Sequence, residues 1–136
     1  MKQRFLYVAW AQAVVSSIGS IFLSEILHWA PCVLCWYQRS FMYPLAVILT
    51  VAIFKPIKEL HYFVYPLAII GGLIAVFHNL LQYRIIPEAL APCVNGVSCT
   101  IPYHFVYNFV TVPLLSLLGF IVVIIFIHLY RKDNSL

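Results

Sequence analysis

Charged residues are scarce in this sequence of 136 residues, at 9% of the chain, whereas about a quarter of a typical soluble domain is charged. Hydrophobic residues instead make up 64% of the chain. One small globule cannot bury so much apolar surface, because a domain of this size leaves much of its surface exposed. The shortage of charge therefore excludes an ordinary soluble domain and predicts that lipid surrounds most of the chain.

The basic residues do not form the continuous face that would follow a nucleic-acid backbone. The formal net charge is +4, but most lysines and arginines stand in short clusters between long apolar runs. Clusters of this kind encode membrane topology. We therefore expect contact with membrane lipid and no nucleic-acid partner.

Four apolar runs are each close to the roughly 20 residues that cross about 30 Å of hydrocarbon as a helix. They extend from about Phe5 to Ser24, from Cys35 to Phe54, from Tyr62 to Tyr83 and from Val106 to Tyr130. They lack the alternation of apolar and polar residues that marks the strands of a membrane barrel. Because every backbone polar group in lipid needs an internal partner, we predict an all-α integral membrane protein, one four-helix bundle over residues 1–136.

The loops between these runs predict the orientation of the chain. Six of the eight basic residues belong to one side of the membrane: Lys2, Arg4, Lys55, Lys58, Arg131 and Lys132. The opposite loops, about 25–34 and 84–105, contain only Arg84 as a clear basic residue. The positive-inside rule then places both termini in the cytoplasm and both loops outside the plasma membrane. Cleavage of residues 1–24 as a signal peptide, the alternative for this segment, would leave the remaining loops on the same sides.

All four cysteines lie in or beside the predicted outer loops, where disulfides persist. Cys32 and Cys35 form a C-x-x-C motif at the start of the second span, and a helix start favours the thiolate that reacts in disulfide exchange. Trp36 follows the motif, whereas a c-type haem site needs histidine there. Structural zinc and a purely structural disulfide are less favoured, since the second pair is widely spaced and the first closes too small a loop.

Arg39 lies four residues after Cys35, so it shares a helical face with that cysteine about 6 Å deeper. An arginine in a span costs at least about 2.5 kcal/mol at the bilayer centre and less near the interface. Extension of the side chain to the lipid headgroups is the simple explanation. The place beneath a C-x-x-C motif favours a functional role, in which a permanent cation serves both a thiolate and an electron-accepting carbonyl.

Cys93 and Cys99 form the second pair, in a C-x5-C segment that contains Asn95-Gly96. Asn-Gly is a strong turn signal that brings flanking residues together. Alone, this pair is equally consistent with a structural disulfide that closes the loop and with a redox-active disulfide. Beside a C-x-x-C on the same membrane face it predicts a relay, because thiol exchange passes through mixed disulfides.

The segment CVLCWYQR, the four-span layout and the second outer cysteine pair together resemble the DsbB/BdbC family of disulfide bond formation proteins. The resemblance covers essentially the whole chain. The short C-x5-C loop is closer to the BdbC branch of Gram-positive bacteria than to the proteobacterial form, whose second loop is longer. In the vitamin K epoxide reductase family, which runs similar chemistry, the loop cysteines precede the membrane C-x-x-C, which is the opposite order.

The resemblance implies a protein dithiol:quinone oxidoreductase. Cys93 would form the mixed disulfide with a DsbA- or BdbD-like thioredoxin-fold partner. Cys99 and Cys32 would then exchange between the loops, and Cys35 would pass electrons to a membrane quinone beside Arg39. Menaquinone and ubiquinone are both candidates for this cofactor, and the electrons would come from a protein that introduces disulfides into exported proteins.

His78 is a further candidate for quinone binding, toward the outer end of the third span. Polar groups within a membrane are functional candidates by default, although hydrogen bonding between helices explains His78 as well. The alternative function for the whole chain is a non-enzymatic membrane scaffold or assembly factor whose disulfides only staple the loops. A metal-binding or transport role is the third possibility.

Small residues and prolines within the spans predict packing details. Gly71 and Gly72 predict close approach of the third span to a neighbouring helix. Three prolines fall within the predicted spans and predict kinks without a chemical role: Pro44, Pro66 and Pro113.

Overall fold

The computed structural model describes residues 2–28, 33–83, 85, 104–106 and 110–135. Four helices make up most of this part of the chain: α1 (Lys2–Glu25), α2 (Val33–Phe54), α3 (Leu60–Gln82) and α4 (Val112–Ser135). Each is long and apolar enough to cross a membrane. The predicted fold class, an all-helical membrane protein with four spans, is confirmed.

Two short paired strands precede α4. They are β1 (His104–Val106) and β2 (Val110–Thr111), which run antiparallel with His104 opposite Thr111. The last helix therefore begins at Val112 and not near residue 106. Pro113 consequently lies in the first turn of α4, where a missing N–H costs the helix nothing. The kink predicted at Pro113 is wrong for this reason, whereas the other two prolines do lie inside helices.

The helices pack in a ring that follows chain order. α1 contacts α2 and α4, and α3 also contacts α2 and α4. Their shared core is apolar, with these large side chains almost fully buried: Leu6, Leu45, Leu49, Leu60, Val64, Phe120, Val123 and Ile127. Many other large apolar side chains point outward, as expected for helices whose surroundings are lipid.

α3 and α4 approach each other closely at Gly71. A Cβ atom built on Gly71 would lie 2.5 Å from two ring atoms of Phe120, Cε1 and Cζ. A Cβ atom on Gly72 would lie 3.8 Å from the Cβ of Phe120, an ordinary contact. The close packing predicted at the glycine pair is thus present, and it depends on Gly71.

Candidate functional site

The first turns of α2 carry three neighbouring polar side chains: Cys35, Gln38 and Arg39. At 3.6 residues per turn, Gln38 lies about 60° to one side of Cys35 around the helix and Arg39 about 40° to the other side. α2 packs between α1 and α3. Arg39 bonds to α1 and Gln38 bonds to α3. The partly buried Cys35 therefore lies between one contact to α1 and another to α3. We call these three side chains of α2, together with the residues of α1 and α3 that they contact, the polar seam.

Arg39 is held by two serines of α1. Its Nε donates to the hydroxyl of Ser20 at 2.6 Å, and its Nη2 donates to the backbone carbonyl of Ser20 at 2.8 Å. Nη2 also donates to the hydroxyl of Ser24 at 2.7 Å. The ring of Trp36 covers the guanidinium, with 5.2 Å between Cζ and the ring centroid. The cation is therefore fixed within the bundle by α1, and its position does not require extension to lipid headgroups.

Gln38 and His78 form a buried contact between α2 and α3. Their exposed fractions are 6% and 2%, and Gln38 Nε2 lies 3.1 Å from His78 Nδ1. Because an amide nitrogen only donates, Nδ1 is the acceptor in this contact. The hydrogen bond between helices that would explain His78 without a functional role is present. Its role toward a quinone stays a prediction.

The structure brings three of the predicted site residues to one end of the bundle. Cys35 and Arg39 share a face of α2, and His78 joins them through Gln38. Cys32, Cys93 and Cys99 lie outside the described residues. The pairing of the cysteines and the order of exchange between them therefore stay predictions.

Ser20 and Ser24 are the site residues that sequence reasoning missed. Serines occur in α1 at positions 16, 17, 20 and 24. Residues three or four apart lie on the same face of a helix, so these hydroxyls form a stripe along a span that is otherwise mostly apolar. That stripe, set beside an arginine in the next span, was the available signal.

The chain has relatives along nearly its whole length. Residues 2–129 match the protein family described as "Disulfide bond formation protein DsbB". The chain is similar to disulfide bond formation protein C of Bacillus subtilis, with 42% identity over 137 residues that cover 99% of each chain.

Two further relatives carry similar names. One is a probable disulfide formation protein of Metapseudomonas resinovorans, 35% identical over 136 residues, which are 99% of this chain and 94% of that one. The other is probable disulfide formation protein C 1 of Bacillus anthracis, 38% identical over 134 residues, which are 98% and 96% of the two chains. No solved structure matches the chain.

The family match confirms the resemblance that the cysteine motif and the four spans indicated. Members of this family are disulfide oxidoreductases, and the four apolar helices supply the membrane part. The chain therefore belongs to the DsbB family of disulfide bond formation proteins, and it is a multi-pass membrane disulfide oxidoreductase.

Proposed function

We propose that this protein passes electrons from the dithiol of an extracytoplasmic, DsbA- or BdbD-like thioredoxin-fold protein to menaquinone or ubiquinone in the plasma membrane. In this way it supports disulfide formation in exported proteins. The observation that carries the proposal is the polar seam, where Cys35 lies between an anchored cation and a buried imidazole. DsbB proteins are known to pass electrons to quinones, and this seam supplies groups suited to one.

The residues of the seam fit a quinone head group. A quinone carries two carbonyl oxygens, both of which are hydrogen-bond acceptors. Arg39 is a permanent donor on the α1 side of Cys35, and His78 is a candidate donor on the α3 side. When bound, the quinone accepts two electrons and two protons.

The chemistry of the protein itself is two thiol–disulfide exchanges. In the first, the partner's dithiol reduces Cys93–Cys99 and becomes a disulfide. In the second, Cys93 and Cys99 reduce Cys32–Cys35. Reoxidation of the second pair releases two electrons and two protons to the quinone, so each turnover converts one dithiol and one quinone into one disulfide and one quinol.

Arg39 acts on Cys35 through its charge. The reactive form of a cysteine in exchange is the thiolate, which a nearby cation stabilises. Because Arg39 stands one turn from Cys35 on the same face of α2, its field favours that anionic form. The same cation favours negative charge on the oxygen of an acceptor that takes electrons from Cys35.

The test uses purified protein, a reduced thioredoxin-fold protein and a short-chain quinone. Cys35→Ala should abolish quinone reduction, because no thiolate then remains beside Arg39. Ser40→Ala is the matched control, since the Ser40 hydroxyl is exposed and, among the described residues, donates to the backbone carbonyl of Trp36 at 2.9 Å within α2 itself. Quinone reduction that persists in Cys35→Ala contradicts the proposal. A wild-type protein that reduces no quinone instead supports the scaffold alternative.

A further inference from the structure

The guanidinium of Arg39 is anchored on one edge by α1. We propose that Ser20 and Ser24 are positioning residues, which orient Arg39 so that its Nη1 edge is the one offered to the electron acceptor. This makes α1, which carries none of the cysteines, part of the acceptor site. The inference rests on the proposed function and adds to it an explanation of how Arg39 is oriented and how the site selects its electron acceptor.

The anchoring fixes the plane of the cation. The guanidinium is rigid and planar, so hydrogen bonds from two of its nitrogens determine its orientation. Nε and Nη2 provide these bonds, at 2.6 to 2.8 Å, to Ser20 and Ser24. Trp36 covers one face of the plane. Ser24 is itself oriented, because its hydroxyl donates to the carbonyl of Ser20 at 3.0 Å.

The anchors are neutral, which preserves the charge. Hydroxyl and carbonyl oxygens satisfy three N–H groups of Arg39 without the negative charge that a carboxylate would bring. An aspartate or glutamate in the same place would form an ion pair and cancel much of the field at Cys35. The serines therefore lower the free-energy cost of placing the cation in a span. The cation still keeps its electrostatic effect on the thiolate and on the acceptor.

The remaining edge of the guanidinium defines what the site accepts. Within the described part of the chain, Nη1 makes no hydrogen bond, and Nε and Nη2 are used by α1. Carboxylates and phosphates bind arginine best through two nitrogens at once. One remaining nitrogen suits a single carbonyl oxygen better. The set of hydrogen bonds from Arg39 to Ser20 and Ser24, which we call the clamp, therefore favours a quinone carbonyl over an anionic head group.

The experiment compares Ser20→Ala and Ser24→Ala with a matched serine of the same helix. Ser17→Ala is the control, because the Ser17 hydroxyl donates to the carbonyl of Ala13 at 2.8 Å and not to Arg39. We expect the quinone KM and Kd to rise about tenfold in Ser20→Ala and in the double variant Ser20→Ala/Ser24→Ala. A change of this size is expected when a charge-assisted hydrogen bond is lost. The kcat and the KM for the thiol partner should stay near wild type, and Ser24→Thr should behave as wild type.

A second readout needs no quinone. In protein labelled with ¹⁵N-arginine, the Nε–H of Arg39 should exchange slowly with solvent in wild type and in Ser17→Ala, and rapidly in Ser20→Ala. If Ser20→Ala adds little to the quinone KM in an Arg39→Lys background, the serine acts through Arg39. Full additivity of the two changes would contradict that mechanism.

The outcomes separate this inference from the proposed function. Suppose that the wild type reduces quinone, and that the double serine variant keeps the wild-type quinone KM and slow Nε–H exchange. This result would contradict the role of the serines in orienting Arg39 and would leave the proposed function unaffected. Absence of quinone reduction in wild type overturns the function and, with it, the role of the clamp toward an acceptor.

Discussion

The polar seam at the start of α2 and the apolar core around Phe120 hold the same helices together in different ways. In the seam, side-chain hydrogen bonds join α2 to α1 and to α3. In the core, a fully buried ring lies against a glycine that has no room for a methyl group. In lipid, helices gain little from hiding apolar surface, so their association depends on close packing and on hydrogen bonds.

This difference indicates that one part of the bundle orients the side chains of the site and that another part stabilises the fold. The seam fixes the direction of Arg39 and of the ring of His78, which are groups that chemistry can use. The core fixes the distance between α3 and α4. Changes in the seam should therefore alter activity with modest effects on stability, and changes in the core should do the reverse.

The largest expected effect comes from removal of the cation in the seam. Arg39→Gln should raise the quinone KM about 10- to 100-fold, since a charged hydrogen bond is worth about 1.5–3 kcal/mol. Thiol exchange with the partner should continue, because it does not involve the acceptor. Steady-state kinetics with varied quinone, and thiol trapping of the cysteines, measure the two parts. Arg4→Gln, an exposed arginine near the start of α1, is the control, and an unchanged quinone KM in Arg39→Gln would remove Arg39 from the site.

The second effect is on stability and concerns the core. Gly71→Ala should lower the free energy of unfolding by about 1–3 kcal/mol, because its new methyl group would overlap the ring of Phe120. Denaturant unfolding in detergent followed by circular dichroism measures this change. Gly72→Ala is the matched control, since its methyl group would make an ordinary contact.

A compensating change sharpens this test of the core. Phe120→Leu should recover part of the loss in the Gly71→Ala background, because the smaller side chain leaves space for the methyl group. If Gly71→Ala and Gly72→Ala are equally stable, close approach at Gly71 does not hold α3 to α4.

The smallest expected effect tests the other half of the seam. Gln38→Met preserves the length of the side chain and removes its hydrogen bond to His78. We expect a loss of about 0.5–1.5 kcal/mol in stability, the net value of a neutral hydrogen bond. We also expect a rise of a few fold in the quinone KM, because the imidazole loses its fixed orientation.

Gln12→Met is the control for Gln38→Met. Gln12 is partly buried, whereas Gln38 is buried, and the Gln12 amide donates to Ser16 within its own helix at 3.0 Å. Equal effects of the two substitutions on the quinone KM would show that the contact between Gln38 and His78 has no part in acceptor binding.

The sequence by itself determined the membrane class, the four helices and the family, because these follow from local properties. The length and hydropathy of an apolar run predict a span, and four residues of separation place Cys35 and Arg39 on one face of α2. The start of α4 was less predictable: hydropathy continues through residues 104–111, whereas the strands His104–Val106 and Val110–Thr111 pair with each other and do not join the helix.

Tertiary structure decided what the polar side chains of the seam contact. Ser20 and Arg39 are 19 residues apart and lie on different helices, and Gln38 and His78 are 40 apart. Periodicity predicts the face of a helix on which each residue lies, but not the helix that this face meets or the depth at which two helices align. Those depend on how all four helices pack around the shared apolar core, which includes Phe120. The serines of α1 and the partly buried Arg39 form hydrogen bonds only because that packing brings them within reach of each other.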